Sequence, residues 1–93
     1  MSDIDTLTRP ALARGTRLVT DKTTGQPVLL FPEGVVHLSP TAEAILKRCD
    51  GQSTTGAIVT SLAKEYEAEE QDLRADVIEC LSELHQRKLI VLA

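Results

Sequence analysis

Few side chains in this 93-residue sequence are equipped for chemistry. They are two histidines, His37 and His85, two cysteines, Cys49 and Cys80, and a crowd of carboxylates at Glu65, Glu67, Glu69 and Glu70. Catalysis needs a nucleophile, a base and an orienting group brought together, and these residues are scattered. There is no CxxC, and neither histidine is spaced with a cysteine as a zinc site requires. Both cysteines fall on apolar stripes of expected helices, where a thiol packs as a small hydrophobe. His37 lies on an expected strand and His85 near the exposed end of an expected helix, so both read as surface or half-buried histidines. The glutamate crowd matches no calcium-loop pattern and reads as a solvated cluster at a helix start. No glycine-rich phosphate cradle is present. The sequence therefore offers no catalytic residue, no metal ligand set and no cofactor site, and points to a protein that is not an enzyme.

The elements around these residues divide the chain in two. Residues 1–15 lack periodicity and read as a flexible N-terminal arm, leaving residues 16–93 as a single domain. Arg17 to Thr20 reads as a first strand, followed by the turn-rich Asp21-Lys22-Thr23-Thr24-Gly25-Gln26. Val28-Leu29-Leu30-Phe31 is a second strand, apolar on both faces. Pro32-Glu33-Gly34 fits a tight hairpin, with proline setting φ and Gly34 free to take positive φ. Val35-Val36-His37-Leu38 then returns antiparallel.

At Ser39-Pro40 the period changes from two to nearly four. Ser39 is a good N-cap and Pro40 suits the first helical position. Ala42, Ile45, Leu46 and Cys49 make an amphipathic stripe, and Asp50-Gly51 is expected to end this helix. A second helix starts near Ser53-Thr54 and buries Ile58, Val59, Leu62, Ala63 and Tyr66; Gly56 weakens its first turn. A third runs from about Glu70 to Lys88, with Leu73, Val77, Cys80, Leu81 and Leu84 on one side. Its acidic start and basic end suit the helix dipole. Leu89-Ile90-Val91-Leu92 is a short strand or an apolar plug. The expected fold class is α+β: a three-stranded antiparallel meander followed by three helices.

Composition narrows the function classes. The chain is 42% apolar and 26% charged with a net charge of −4, ordinary for a globular domain. No apolar run approaches the length of a membrane span, and the acidic Met1-Ser2-Asp3-Ile4-Asp5 start is unlike a signal peptide. These features read as cytoplasmic, with no membrane partner. Residues 1–49 carry net +1 and residues 50–93 net −5. A winged-helix DNA-binding protein would need cations on its helical half to meet phosphates, so nucleic acid is a poor partner.

One feature is positive. In meander order, Val35 to Leu38 forms a sheet edge. Edges are normally defended by lysine, proline, inward charge or a bulge, and none stands between Gly34 and Ser39. Val36 and Leu38 point to the core, Val35 and His37 away from it. Such an edge is a template for an extended peptide, unless the Leu89–Leu92 tail or the N-terminal arm covers it. An open edge and a free arm also invite a homodimer by strand exchange.

The run Val28-Leu29-Leu30-Phe31-Pro32-Glu33-Gly34-Val35-Val36-His37-Leu38-Ser39, with Thr41-Ala42-x-Ala44-Ile45-Leu46 and Cys49-Asp50-Gly51, resembles the PqqD family. These are peptide chaperones of pyrroloquinoline quinone (PQQ) biosynthesis. Ile58-Val59-x-x-Leu62-Ala63-x-x-Tyr66 and Asp76-Val77-x-x-x-Leu81-x-x-Leu84 are similar to it as well. Gly56-Ala57 and Glu69-Glu70 depart from it, at helix starts rather than at the edge strand. The resemblance implies a winged-helix-like fold, binding of the ribosomal precursor peptide PqqA, and its delivery to the radical S-adenosylmethionine enzyme PqqE. It implies no cofactor and no chemistry of the protein's own. By the same resemblance, the peptide adds beside Val35, Val36, His37 and Leu38 and lies against the third helix. Leu73, Val77 and Leu81 would form its wall there, or be plain core, with Arg74 and Asp76 at the rim. A recognition domain for a different ribosomally made, modified peptide is the alternative.

Overall fold

The computed structural model describes residues 4–93. Its elements run β1 (Pro10–Leu12), β2 (Arg17–Thr20), β3 (Pro27–Phe31), β4 (Gly34–His37), α1 (Pro40–Leu46), α2 (Thr55–Tyr66), α3 (Glu70–Gln86) and β5 (Ile90–Leu92). The expected meander is there: β2, β3 and β4 form one antiparallel sheet in that order. Leu29 stands between Leu18 and Val36 in register. Leu29 is buried, and Leu18 and Val36 pack against the same core. The β3–β4 hairpin turns on Pro32 and Glu33 alone. Gly34 belongs to β4 with an extended φ of 159°, so the turn does not need its left-handed freedom.

The N-terminal stretch departs from expectation. Residues 1–15 were expected to be an arm outside the domain. Instead Pro10–Leu12 pairs antiparallel with Ile90–Leu92 as a separate two-stranded sheet, and Ile4 is buried in the core. Residues 1–3 of the expected arm lie outside the described residues. The cause is long-range pairing: β1 finds its hydrogen bonds on the C-terminal strand, where no local periodicity announces it. The Leu89–Leu92 tail thus resolves as a strand.

The same segment finishes two other elements. α1 ends at Leu46, short of the expected Cys49. Cys49 is still buried, its thiol donating to the Ile45 carbonyl at 3.3 Å. Asp50-Gly51 is not a helix cap but the receiving surface for β1. Asp50 bridges Ala11, and the Gly51 N–H donates to the Pro10 carbonyl at 3.0 Å. Gly51 has φ 78°, and a Cβ there would sit 3.4 Å from that of Ala11, so glycine serves both backbone and space. The Asp50 carboxylate accepts from the N–H groups of Gln52 (2.9 Å) and Ser53 (2.8 Å). Those bonds, Ser53 first, hold its pKa below the usual carboxylate value.

At α2 the N-terminal segment acts as a cap. Thr55 and Gly56 donate their N–H groups to the carbonyls of Thr8 (2.8 Å) and Thr6 (3.0 Å). Thr54 accepts from Ala57 N–H through its hydroxyl and from Ile58 N–H through its carbonyl. The orphan N–H groups of Thr55, Gly56 and Ala57 are thereby met, and Ile58 makes the first bond of the helix proper. Gly56, a weak helix former, is explained here: a Cβ would lie 3.3 Å from the Thr6 carbonyl oxygen. Arg48 ties α1 to α2, with its guanidinium on Glu65 and the Ser61 hydroxyl and back on the Ala44 carbonyl. α3 ends in a Schellman motif. Lys88 N–H donates to the His85 carbonyl and Leu89 N–H to the Leu84 carbonyl, both at 3.0 Å, with Lys88 left-handed at φ 62°.

One hydrophobic core serves the whole chain: Leu29 from the sheet, Ile45 and Leu46 from α1, Ile58, Val59 and Leu62 from α2, and Val77, Leu81 and Leu84 from α3. Leu89 and Ile90 close it from the C-terminal side.

Candidate peptide-binding site

The site starts from the hydrogen-bond phase of β4. In an antiparallel ladder, directly opposed residues alternate between pairs that exchange both backbone bonds and pairs whose backbone groups point away. Leu38 N–H donates to the Pro27 carbonyl at 3.1 Å. Counting back along the register, Val36 with Leu29 and Gly34 with Phe31 are bonded pairs. Val35 and His37 therefore turn N–H and C=O outward. β4 has no strand on that side among the described residues. The tail and the N-terminal segment, the two expected alternatives for covering this edge, cover each other instead.

Alongside this edge runs a groove of about 380 Å³ between β4 and α3. One wall is Val36, His37 and Leu38, continued by Ser39 and Ala42 of the α1 start. The other is a stripe of α3: Asp76, Glu79, Cys80, Glu83, Leu84 and Arg87. Spacings of three and four residues put these six on one face. The groove has a half-buried apolar floor (Val36, Leu38, Ala42, Cys80) and a charged upper rim on the helix side. Cys80 is a free thiol whose pKa is raised, first by burial and then by the carboxylates of Glu83 and Glu79. Neutral at physiological pH, it contributes apolar surface rather than a nucleophile.

The residues expected to make the site divide. Val36, His37, Leu38 and Asp76 line the groove. Val35 lies on the same edge, 52% exposed on the far face of the sheet; its backbone is available, its side chain is not in the groove. Val77 and Leu81 are corrected: both are fully buried core residues. Leu73 packs on the core and Arg74 is exposed, and neither lines the groove. The apolar stripe of α3 faces the core, and the groove takes the neighbouring stripe one position round the helix. Glu79, Cys80, Glu83, Leu84 and Arg87 were missed. Their signal was present, since Asp76, Glu79, Cys80, Glu83, Leu84 and Arg87 repeat with helical spacing, but a mixed acidic and apolar stripe reads as ordinary surface.

The other chemistry-bearing residues are engaged elsewhere. Glu65 pairs with Arg48, and Glu70 accepts from the Thr60 hydroxyl at 2.6 Å. Cys49 lies in the core, its thiol pushed up to about 12, chiefly by burial. Among the described residues, no three His, Cys, Asp or Glu side chains are grouped to hold a metal. No helix among them is long and apolar enough to cross a membrane.

Comparison with known proteins gives this architecture a family. The family model described as coenzyme PQQ synthesis protein D (PqqD) matches residues 27–90, which covers β3 and β4, all three helices and the start of β5. A protein of Xanthomonas oryzae pv. oryzae (strain KACC10331 / KXO85) named PqqA binding protein is 42% identical over 97% of this chain and 98% of its own length. One of the same name from Xanthomonas campestris pv. campestris (strain B100) is 40% identical over the same shares. Among solved structures, the solution NMR structure of the PqqD truncation of Methylobacterium extorquens PqqCD aligns with a TM-score of 0.77 at 35% identity. It covers 88% of this chain and 87% of that one. That protein is described as a functional, stand-alone recognition element for ribosomally synthesised and post-translationally modified peptides. The crystal structure of PqqD from Xanthomonas campestris aligns with a TM-score of 0.59 at 40% identity, covering 85% and 88%. The match runs through the hairpin, the edge strand and the helix that together form the groove: this chain belongs to the PqqD family of PQQ biosynthesis.

Proposed function

We propose that this protein binds the precursor peptide PqqA by strand addition to β4 and presents it to the radical S-adenosylmethionine enzyme PqqE. The observation that carries the reading is the unpaired outer edge of β4 lying beside the α3 groove. Val35 and His37 offer two N–H and two C=O groups to an extended chain. Four such bonds contribute about 0.5–1.5 kcal/mol each. Ordering a flexible peptide costs about 2–5 kcal/mol or more. Backbone pairing alone thus barely exceeds its cost. One aliphatic side chain set on Val36, Leu38, Cys80 and Leu84 adds about 1.5–3 kcal/mol, so side chains entering the groove decide affinity and choice of peptide. The relatives' name, PqqA binding protein, supports this ligand. The role is one of holding rather than reacting, in keeping with a groove whose only thiol is kept protonated.

The test is calorimetric titration of synthetic PqqA into the wild-type protein and His37→Pro. Proline at this position deletes an outward N–H while leaving the β3–β4 bonds intact. Binding to the wild type and at least tenfold weaker binding to the folded variant is expected; equal binding would end the strand-addition reading. No binding of PqqA by the wild type would instead favour a different precursor. A homodimer, in this reading, pairs β4 with β4 and competes with the peptide. Sedimentation would then show peptide converting dimer to monomer.

A further inference from the structure

Resting on the groove being the peptide site, we infer that it selects the order of charge along its peptide: cationic side chains toward the α1 end, a carboxylate toward the β3–β4 hairpin. Two observations carry this. First, Asp76, Glu79 and Glu83 stand one turn apart along the groove wall, all exposed. None has an ion pair or hydrogen bond from its side chain to any described residue. The ion pairs among the described residues are Lys47–Glu43 and Arg48–Glu65, and none of these four residues lines the groove. The wall therefore presents three carboxylates with no ion-pair partner among the described residues, with His37 of β4 at the groove's edge and Arg87 at the far end.

Second, the sign reverses at the hairpin. Beyond Arg87, a cavity of about 290 Å³ gathers Arg14, Arg87 and Lys88 around Glu33, beside Phe31, Pro32 and Leu89. Three cations and one carboxylate make that end net positive. The α3 C-terminus therefore lies at the hairpin where β4 begins, while Ser39 and Ala42, just past the end of β4, face the acidic stripe. β4 and α3 run in opposite senses, and the groove between them has a negative and a positive end. Opposed charges set beside an otherwise sequence-blind backbone ladder fix register and discriminate partners more than they add affinity. A peptide shifted or reversed in the groove meets like charge at both ends.

These charges are solvent-exposed, so each pairing is worth little alone and is screened beyond about 8 Å at physiological salt. Neutralising two of them with Glu79→Gln/Glu83→Gln is expected to weaken PqqA binding about 3- to 20-fold at low salt. The same variant should flatten the salt dependence of the affinity. All substituted side chains are exposed, so the core is untouched.

The decisive experiment is a charge exchange read by calorimetry. Glu79→Lys/Glu83→Lys/Arg87→Glu inverts the groove's polarity; it is titrated with PqqA and with a PqqA analogue whose Lys/Arg and Asp/Glu residues are exchanged. The inverted protein should lose PqqA and bind the exchanged peptide, with the wild type showing the opposite preference. If the inverted protein binds PqqA as the wild type does, while folded His37→Pro loses it, charge order is not read and the groove reading stands. If folded His37→Pro binds PqqA as the wild type does, strand addition itself fails and this inference falls with it.

Discussion

At the scale of single residues, two positions carry measurable consequences for stability. Lys88 holds a left-handed conformation at the end of α3, where a side chain costs about 1–2 kcal/mol and glycine nothing. Glycine loses about 0.5–1 kcal/mol more entropy on folding. Lys88→Gly should therefore stabilise the protein by about 0.5–1 kcal/mol, seen as a higher urea midpoint with an unchanged slope. Cys49 sets an alkaline limit. Its folded-state pKa is raised from 9.0 to about 12, mainly by burial. The folded state then holds a proton that the unfolded state releases above pH 9. The stability it contributes is complete below pH 9 and is lost as pH rises toward 12. The wild type should lose thermal stability over this window more steeply than Cys49→Ala, which starts lower and keeps only the less buried Cys80 thiol to titrate.

At the scale of elements, the outward phase of β4 predicts that neighbouring prolines behave differently. His37→Pro should fold and lose peptide. Val36→Pro removes an N–H of the β3–β4 ladder and the core contact of Val36, so circular dichroism should show it loosened or unfolded without any ligand. The N-terminal segment makes a second prediction. Deleting residues 1–9 strips the Thr6 and Thr8 carbonyls from the start of α2 and Ile4 from the core. The loss should be about 2–4 kcal/mol in denaturant titration. The β1–β5 pairing and the buried Ile4, not an arm, set this stretch inside the fold, and the contrast shows where sequence is legible. β2 to β4 and the three helices announce themselves by alternation, by Ser39 and Thr54 as caps, and by helical stripes, all local signals. β1 is Pro-Ala-Leu, with no alternation long enough to register, and its partner lies at the other end of the chain. On α3, hydrophobicity found the face that packs, Val77 and Leu81. It could not find the face that lines the groove, of which only Asp76 was anticipated, because Glu79 and Glu83 resemble any solvated helix surface.

At the scale of the whole molecule, the division of charge along the sequence takes a spatial form. The net −5 of residues 50–93 includes the acidic wall of the groove, so the surface beside the open edge repels phosphate and suits a peptide with cations. The same layout accounts for the missing covers of β4. Both candidate covers are bound to one another in the second sheet, which leaves the first sheet with an unpaired side.

That second sheet also governs how the protein yields to tension. Arg9 and Ala93 exchange backbone bonds at 2.9 and 3.0 Å, and the chain enters β1 and leaves β5 at this same end. A pull between the two termini opens this ladder bond by bond, as a zipper opens, rather than shearing all of it at once. Rupture should begin there at low force, peeling Thr6 and Thr8 from the start of α2 before the three-stranded sheet feels any load.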